Sequence, residues 1–255
     1  MTSQEPAVLT RARNGVGEIV LNRPAQRNAL NTEMCVALLT AAERMEADDT
    51  VRAVVVRASG RVFCAGADVK ERRDMTADDV RARRLKAFAA YDALERLSKP
   101  SIAMVQGPVV GSGGEIAASC DFIIASEHAT FRYPESAGGT IGATQRLPWI
   151  VGLPRAKELL FTGRTLSAAD AALWGLVNRV VSAADLEAVV LDLAAAIATA
   201  PVRAMRLTKR CLDQRGADAR RSALAAEILA IEELLSSDGW SAALAPLEKK
   251  RGDVP

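Results

Sequence analysis

Short apolar runs, each bounded by polar or turn-forming residues, recur along the first half of the chain. Their wealth of valine and isoleucine predicts buried β-strands. The runs are EIVLN from Glu18, VRAVVVRAS from Val51, PSIAMVQG from Pro100 and DFIIAS from Asp121. Strands that are apolar on both faces favour a largely parallel sheet that is covered by helices on each side.

Between these runs the apolar positions repeat with helical spacing. Asn31 or Thr32 can cap a helix, with Glu33 in its first turn. One face of this helix is then apolar, formed by Met34, Ala37, Leu38, Ala41 and Met45. A second helix is predicted from about Asp78 to Leu97. Strands that alternate with helices predict an α/β fold.

From about Ala183 onward the strand pattern ends, and three Ala- and Leu-rich segments have helical spacing. They are LEAVVLDLAAAIATA, PVRAMRLTKRCLD and ARRSALAAEILAIEELLSS. These helices either wrap over the core or form an oligomerisation layer, and their small side chains favour the second interpretation. We therefore predict a core over residues 1–195 and a helical, oligomerising region over residues 196–255.

Composition narrows the range of functions. Hydrophobic residues make up 49% of the 255 residues and charged residues 25%, which is typical of soluble globular proteins. A net charge of +2 argues against a dedicated nucleic-acid binder. No apolar run has the length of a signal peptide core or a membrane span, so we expect a cytoplasmic protein without membrane contact.

Cysteine and histidine contribute little chemistry. The four cysteines are dispersed within apolar patterns, which predicts buried free thiols and neither a disulfide framework nor a metal site. Their positions are Cys35, Cys64, Cys120 and Cys211. A single histidine, His128, leaves little material for a His-rich metal site or a Ser-His-Asp triad. Acid and base chemistry at neutral pH therefore falls to carboxylates or cysteine.

Two glycine-bearing loops follow strands and precede helices: FCAGADVKE from Phe63 and GPVVGSGGEI from Gly107. Neither is a nucleotide loop, since no G-x-x-x-x-G-K-[ST] occurs and Ile116 stands where G-x-G-x-x-G needs its last glycine. Val110 likewise breaks the G-x-S-x-G pattern around Ser112. The loops either turn the chain or offer backbone N–H groups to a developing negative charge.

Two glutamates lie beside these loops. Glu115 is followed by the small, apolar segment IAAS, and a carboxylate that enters a buried helix is costly without a task or a partner. Glu135 lies in FRYPESAGG, after a predicted strand. Taken alone, each has an ordinary explanation: Glu115 as a solvated residue at the start of a helix, and Glu135 as a turn residue. Together they are typical of a carboxylate pair that shares acid and base roles.

Six segments, in order, resemble the crotonase, or enoyl-CoA hydratase/isomerase, superfamily. They are LNRPAQRNALN, FCAGADVKE, GSGGEIAASCDFIIASEHATF, YPES, TQRLPWIVGLPRAKELLFTGRTLSAADAALWGLVNRVV and LEKKR, and they span about residues 8 to 252. The resemblance implies an α/β fold of the crotonase type, a spiral of repeated ββα units with a helical C-terminal trimerisation region. It also implies a homotrimer or a hexamer built as a dimer of trimers.

The resemblance assigns roles to the loops and the glutamates. The backbone N–H groups of Ala67 and Ser112 would form the oxyanion hole for a coenzyme A thioester, and Glu115 and Glu135 would be acid and base. Substrate-binding positions implied are Arg27, Ala65, Gly66, Ala67, Asp68 and Gly111, with Lys249, Lys250 or Arg251 from a neighbouring subunit. Coenzyme A is part of the substrate, and neither a separate cofactor nor a metal is expected.

Retention of both glutamates favours syn hydration of a 2-enoyl-CoA, through an enolate. The alternatives are an enoyl-CoA isomerase, a dehydratase for carnitinyl-CoA or a branched methylglutaconyl-CoA, and a non-catalytic or RNA-binding scaffold of the same fold. One departure concerns the acyl pocket: SAGGTIGA, after Glu135, is shorter by three residues than the corresponding loop of typical hydratases. A further segment, Lys70 to Lys86, corresponds to the region that covers the acyl site in the family.

Overall fold

The computed structural model describes residues 5–214 and 217–236. The strands of this part are β1 (Val8–Arg13), β2 (Val16–Leu21), β3 (Ala53–Ala58), β4 (Ser101–Val105), β5 (Val109–Val110), β6 (Phe122–Ser126), β7 (Thr130–Arg132), β8 (Thr165–Ser167) and β9 (Arg179–Val181). They form a six-stranded sheet in the order β1-β2-β3-β4-β6-β9 and a three-stranded sheet in the order β5-β7-β8.

The four runs that the sequence predicts as strands are β2, β3, β4 and β6, and they are neighbours in the large sheet. Apart from the antiparallel β1–β2 pair, this sheet is parallel. Both faces are covered, as predicted. Val54 and Val56 of β3 belong to the larger core on one face, whereas Val55 packs into a second core on the other.

The helices are α1 (Thr32–Ala47), α2 (Val69–Arg72), α3 (Ala77–Glu95), α4 (Ser112–Ala118), α5 (Arg146–Val151), α6 (Leu153–Thr162), α7 (Ala168–Leu173), α8 (Leu186–Thr199), α9 (Val202–Asp213) and α10 (Ala217–Leu235). As predicted, α1 buries Met34, Leu38, Ala41 and Met45. Its cap is Asn31, whose side chain accepts a hydrogen bond from Met34 N at 2.9 Å.

The second predicted helix is α3, which packs along α1. Thr76 caps it, and the side chain of Asp79 accepts from Thr76 N at 3.0 Å in a reciprocal capping box. The buried face of α3 includes Arg83 among its apolar side chains. A charged residue in this position needs a partner or a function.

The helical C-terminal prediction is confirmed for the described residues. Helix α8 buries Leu186, Val190, Ala194 and Ala198 against the large sheet. Helix α10 returns to α3, where its Ile231 packs on Val80. A boundary at residue 195 lies inside α8, and the division of the chain there stays a prediction.

The helices were compared with the length and hydropathy that a membrane span requires. In the part of the chain that the structure describes, no single helix is long and apolar enough to cross a membrane, and only α8 and α9 together reach that length, as a pair bent by 108°.

All four cysteines are free, but the prediction that all are buried is wrong for one of them. Cys35, Cys64 and Cys120 are buried, whereas Cys211 is exposed. Helix α9 carries Cys211 and buries only Lys209. The apolar pattern around Cys211 therefore does not mark an inward-facing position.

Candidate active site

The two glycine-bearing loops lie against each other. Val110 N donates to Cys64 O at 2.9 Å, which joins the loops through a backbone hydrogen bond. The approach is too close for side chains. A Cβ atom on Gly66 would lie 3.1 Å from Val110 O, and one on Gly113 would lie 2.7 Å from Cys64 O. These contacts leave no room for a side chain at either glycine, as expected of loops that approach a ligand through their backbone.

Each loop presents one of the predicted backbone donors. Leu30 N donates to Gly66 O at 2.8 Å and Asp68 N donates to Leu30 O at 2.9 Å, so the intervening Ala67 N–H points away from this pairing. Ser112 is the first residue of α4, where the backbone N–H has no acceptor within the helix. Neither N–H donates to any residue in the described ranges. Both can donate to the oxygen of a ligand.

Glu115 lies in the first turn of α4 and is only 7% exposed. Its Oε2 accepts a hydrogen bond from Arg146 Nη1 at 2.9 Å, and Arg146 Nη2 donates to Glu95 Oε2 at 2.6 Å. Burial raises the pKa of Glu115 to about 7, although the positive charge of Arg146 acts in the opposite direction. Glu115 is therefore suited to exchange a proton near neutral pH.

Glu135 follows β7 and packs against Gly111. A Cβ atom on Gly111 would lie 2.4 Å from Glu135 Oε1, and the Gly111 φ of +49° also favours glycine. Glu135 Oε2 is buried and has no hydrogen-bond partner in the described chain. Burial raises the pKa of Glu135 to about 7, and the negative charge of Glu115 adds to this effect. The two carboxylates thus titrate as a coupled pair.

Two buried tyrosines border the pair. The Tyr133 ring lies under α4, where a Cβ atom on Gly114 would lie 2.4 Å from Tyr133 Cε1. Burial raises the pKa of Tyr133, as do the negative charges of both glutamates. Tyr91 is buried, and the Arg146 guanidinium lies over its ring, 5.8 Å from the centroid. These two buried rings form an apolar border of the site.

A third buried carboxylate comes from α10. Glu227 is 4% exposed and accepts hydrogen bonds from Thr144 Oγ1 and, at 3.3 Å, from Gln145 Nε2. Its negative charge contributes to the raised pKa of both Glu115 and Glu135. The C-terminal third of the chain therefore tunes the site as well as covering it.

None of the residues that support the two glutamates was predicted from the sequence; they are Glu95, Arg146, Tyr91, Tyr133 and Glu227. A weak signal existed for two of them, since Glu227 lies within the apolar run ALAAEILAI and Arg146 precedes LPWIV. A charged residue inside an apolar segment is often paired or functional.

The other predicted substrate-binding positions are found around the loop that starts at Phe63. Arg27 has an exposed side chain, and its carbonyl accepts from Ala65 N at 3.0 Å, which places it beside the loop. The Asp68 side chain accepts from Lys70 N at 3.1 Å and pairs with Arg23 at 3.0 Å, so it holds α2 in place. Lys249, Lys250 and Arg251 lie outside the described residues.

Within the described residues, no group of three or more histidine, cysteine, aspartate or glutamate side chains is arranged to hold a metal ion. What the arrangement offers is a pair of titratable carboxylates beside two free backbone donors.

Comparison with known sequences identifies a family model and relatives that match most of the chain. Residues 11–252 match the family model described as enoyl-CoA hydratase/isomerase. The probable mitochondrial enoyl-CoA hydratase 2 of Arabidopsis thaliana is 36% identical over 242 residues, which cover 93% of this chain and 80% of the plant protein. The 4-chlorobenzoyl coenzyme A dehalogenase-2 of an Arthrobacter species is 35% identical over 222 residues, covering 84% and 80% of the two chains.

Solved structures agree with the sequence relatives. An enoyl-CoA hydratase/isomerase from Xanthobacter autotrophicus Py2 superposes with a TM-score of 0.86 at 36% identity, and the match covers 97% of this chain and 93% of the other. An enoyl-CoA hydratase/isomerase from Pseudoalteromonas atlantica T6c gives a TM-score of 0.87 at 28% identity, with coverage of 96% and 97%. The predicted fold class is therefore confirmed.

Proposed function

The chain belongs to the enoyl-CoA hydratase/isomerase family, and from this membership we propose that it adds water to the double bond of a 2-enoyl-CoA thioester. One observation carries the proposal. Glu115 is buried, Glu135 is half-buried with a buried Oε2, and each has a pKa raised to about 7 beside the free backbone N–H groups of Ala67 and Ser112. Hydration needs an acid, a base and an oxyanion hole, and these groups supply all three.

In the proposed reaction, the thioester oxygen accepts hydrogen bonds from Ala67 N and Ser112 N. An ionised glutamate removes a proton from water while the water oxygen bonds to the β carbon. The π electrons move onto the thioester oxygen, which becomes an enolate. The other glutamate, which was protonated from the start, then gives its proton to the α carbon, and the enolate returns to a thioester. The net change is the syn addition of water.

The pKa values support this division of roles. An acid and a base that work at neutral pH are most effective when their pKa values are close to 7. Burial gives both glutamates such a value, and the negative charge of Glu115 raises the pKa of Glu135, which favours the state in which only one of them is ionised. Oxyanion donors of this kind are often the largest single contribution to catalysis.

The direct test is a panel of acyl-CoA thioesters. Crotonyl-CoA loses its conjugated absorbance when it is hydrated, and the hydroxyacyl product is identified by mass. Glu115→Gln and Glu135→Gln should each lower kcat by about 10²- to 10⁴-fold, the usual contribution of a general acid or base. Unchanged turnover in either variant would contradict the two-glutamate mechanism.

The same panel separates the alternatives. Conversion of a 3-enoyl-CoA to the 2-enoyl form without addition of water would identify an isomerase. Including 4-chlorobenzoyl-CoA tests the chemistry in the name of the Arthrobacter relative. No turnover of any thioester would favour the non-catalytic scaffold.

We also propose that the protein acts as a homotrimer or a hexamer, is cytoplasmic, and needs no cofactor beyond the coenzyme A of its substrate. Large exposed apolar side chains support an oligomer; they include Trp149, Leu153, Phe161, Leu173 and Leu212. Light scattering should give three or six times the chain mass of 27.1 kDa. A monomer would contradict this proposal.

A further inference from the structure

Three arginines of α2 and α3 form a cluster for which hydration of a simple enoyl chain has no use. Arg72, Arg83 and Arg84 are buried or half-buried, and the Nε atom of each is buried without a hydrogen-bond partner in the described chain. Arg83 is only 5% exposed. A guanidinium group stays charged at neutral pH, so the cluster brings three positive charges into the interior.

No carboxylate of the described chain forms an ion pair with this cluster. The hydrogen bonds that do form go to neutral groups. Arg83 Nη1 donates to Leu30 O at 3.3 Å, and Arg84 donates to Ile141 O at 2.8 Å and to Thr140 Oγ1. Arg72 forms no side-chain hydrogen bond with a described residue.

The acidic residues nearby are committed elsewhere. Glu71 precedes Arg72 but accepts hydrogen bonds from Thr32 N at 2.9 and 3.1 Å. Glu227 is held by Thr144 and Gln145. Burial and the charges of Arg72 and Arg83 lower the pKa of Arg84 to about 10. The cluster is therefore electrostatically unfavourable by itself, which is the expected state of a site built for an anion.

The cluster borders the reacting groups. Arg83 Nη1 donates to Leu30 O, which also accepts from Asp68 N next to Ala67, and the positive charge of Arg84 lowers the pKa of Glu135. Arg84 also holds the backbone of the shortened loop after Glu135 through Ile141. An anion that reaches the arginines therefore lies near the catalytic pair.

We propose that Arg72, Arg83 and Arg84 bind a carboxylate at the end of the acyl chain, so that the substrate is a 2-enoyl-CoA derived from a dicarboxylic acid. This inference rests on the proposed hydratase function and specifies its substrate class. A guanidinium fork matches a carboxylate in shape and charge. The phosphates of coenzyme A are the other anionic groups of such a substrate, and the test distinguishes the two sources.

The test compares two substrates that differ by one charge. Glutaconyl-CoA carries a terminal carboxylate, and its terminal methyl ester has the same enoyl chain without the charge. We expect the kcat/KM for hydration of glutaconyl-CoA to exceed that of the ester by roughly 10- to 150-fold, the contribution of hydrogen bonds to charged groups. Equal values for both substrates would overturn the inference and leave hydration itself intact.

Substitutions in the cluster test whether these arginines cause the preference for glutaconyl-CoA. Arg84→Met and Arg72→Met should each remove most of the preference for glutaconyl-CoA, measured as the ratio of its kcat/KM to that of the ester, so that any loss common to both substrates cancels. Lys86→Met is the matched control, because Lys86 is an exposed cation of the same helix. If the arginines bind coenzyme A phosphates or serve only Glu135, both substrates lose activity equally, and the acyl-carboxylate assignment fails.

A binding experiment keeps the inference testable without turnover. Calorimetry with saturated glutaryl-CoA and its terminal methyl ester measures anion recognition with no chemistry. Tighter binding of glutaryl-CoA, lost in Arg84→Met, supports the cluster even if hydration is absent. Equal affinities would reject the cluster even if crotonyl-CoA is hydrated.

Discussion

The carboxylate of Glu135 lies directly on Gly111, so closely that a Cβ atom at residue 111 would come within 2.4 Å of Glu135 Oε1. The Gly111→Ala variant should therefore displace the carboxylate and lower kcat at least about tenfold. The φ of +49° and ψ of −110° at residue 111 form a sparsely populated conformation that favours glycine, which adds a stability loss of about 1–3 kcal/mol. Steady-state kinetics and thermal unfolding measure the two effects.

Gly152→Ala provides the control for that variant. Gly152 also has a positive φ, +83°, but a Cβ atom there meets nothing within 4 Å. It should lose stability and keep its activity. A similar loss of kcat in both variants would show that backbone strain, and not the contact with Glu135, is responsible.

The pH dependence of kcat/KM should be bell-shaped with a maximum near pH 7. At low pH both glutamates are protonated and no base is present, whereas at high pH both are ionised and no acid is present. Burial raises the pKa of each glutamate to about 7, so the two limbs of the profile fall on either side of neutrality. Because the two groups interact, the apparent pKa values of these limbs describe the pair and not one residue each. Measurement of crotonyl-CoA or glutaconyl-CoA hydration from about pH 5 to about pH 9 gives the profile. A flat profile would contradict the assignment.

Two variants should move this profile in opposite directions. Arg146 lowers the pKa of Glu115, so Arg146→Met should shift the profile to higher pH. Glu227 raises the pKa of both glutamates, so Glu227→Gln should shift it to lower pH. We expect shifts of about one pH unit, equivalent to ~1.4 kcal/mol. Arg155→Met, which removes an exposed arginine of α6, should leave the profile in place. Shifts of the same sign would refute this account.

Glu135→Gln should stabilise the fold at high pH while it removes activity. The folded-state pKa is raised from 4.5 to about 7, so ionisation above this range opposes folding. The cost is absent below pH 4.5, grows as the pH rises, and is complete above about pH 7. Glutamine avoids it, which predicts a gain of about 1–3 kcal/mol near pH 8 and little gain near pH 4. Urea unfolding at both pH values measures the difference, and equal stability near pH 8 would contradict a buried, unpaired carboxylate.

Much of the fold was readable from the sequence because its elements carry strong local signals. The four predicted strands are valine- and isoleucine-rich runs, and α1 combines a capping Asn31 with a regular apolar face. The proximity of Glu115 and Glu135 was predicted from their loops and from family resemblance. The close contact at Gly111 supports that expectation.

The supporting groups were not readable, because tertiary packing determines them. Arg146 meets Glu115 across 31 positions and Thr144 meets Glu227 across 83. In α3 the burial pattern even opposes hydropathy, since Arg83 is 5% exposed and Leu85 is 51% exposed. A rule that places charges outside and leucines inside assigns both residues wrongly.

The return of α10 onto α3 has a consequence for the order of assembly. Arg81 pairs with Glu232 at 2.6 Å across 151 positions, and Glu227 joins the loop before α5. On the ribosome, α10 emerges after every strand of both sheets. Every strand of both sheets, and Glu115 and Glu135 with them, therefore leaves the ribosome before Glu227. The carboxylate that raises the pKa of both Glu115 and Glu135 is thus synthesised after both of them.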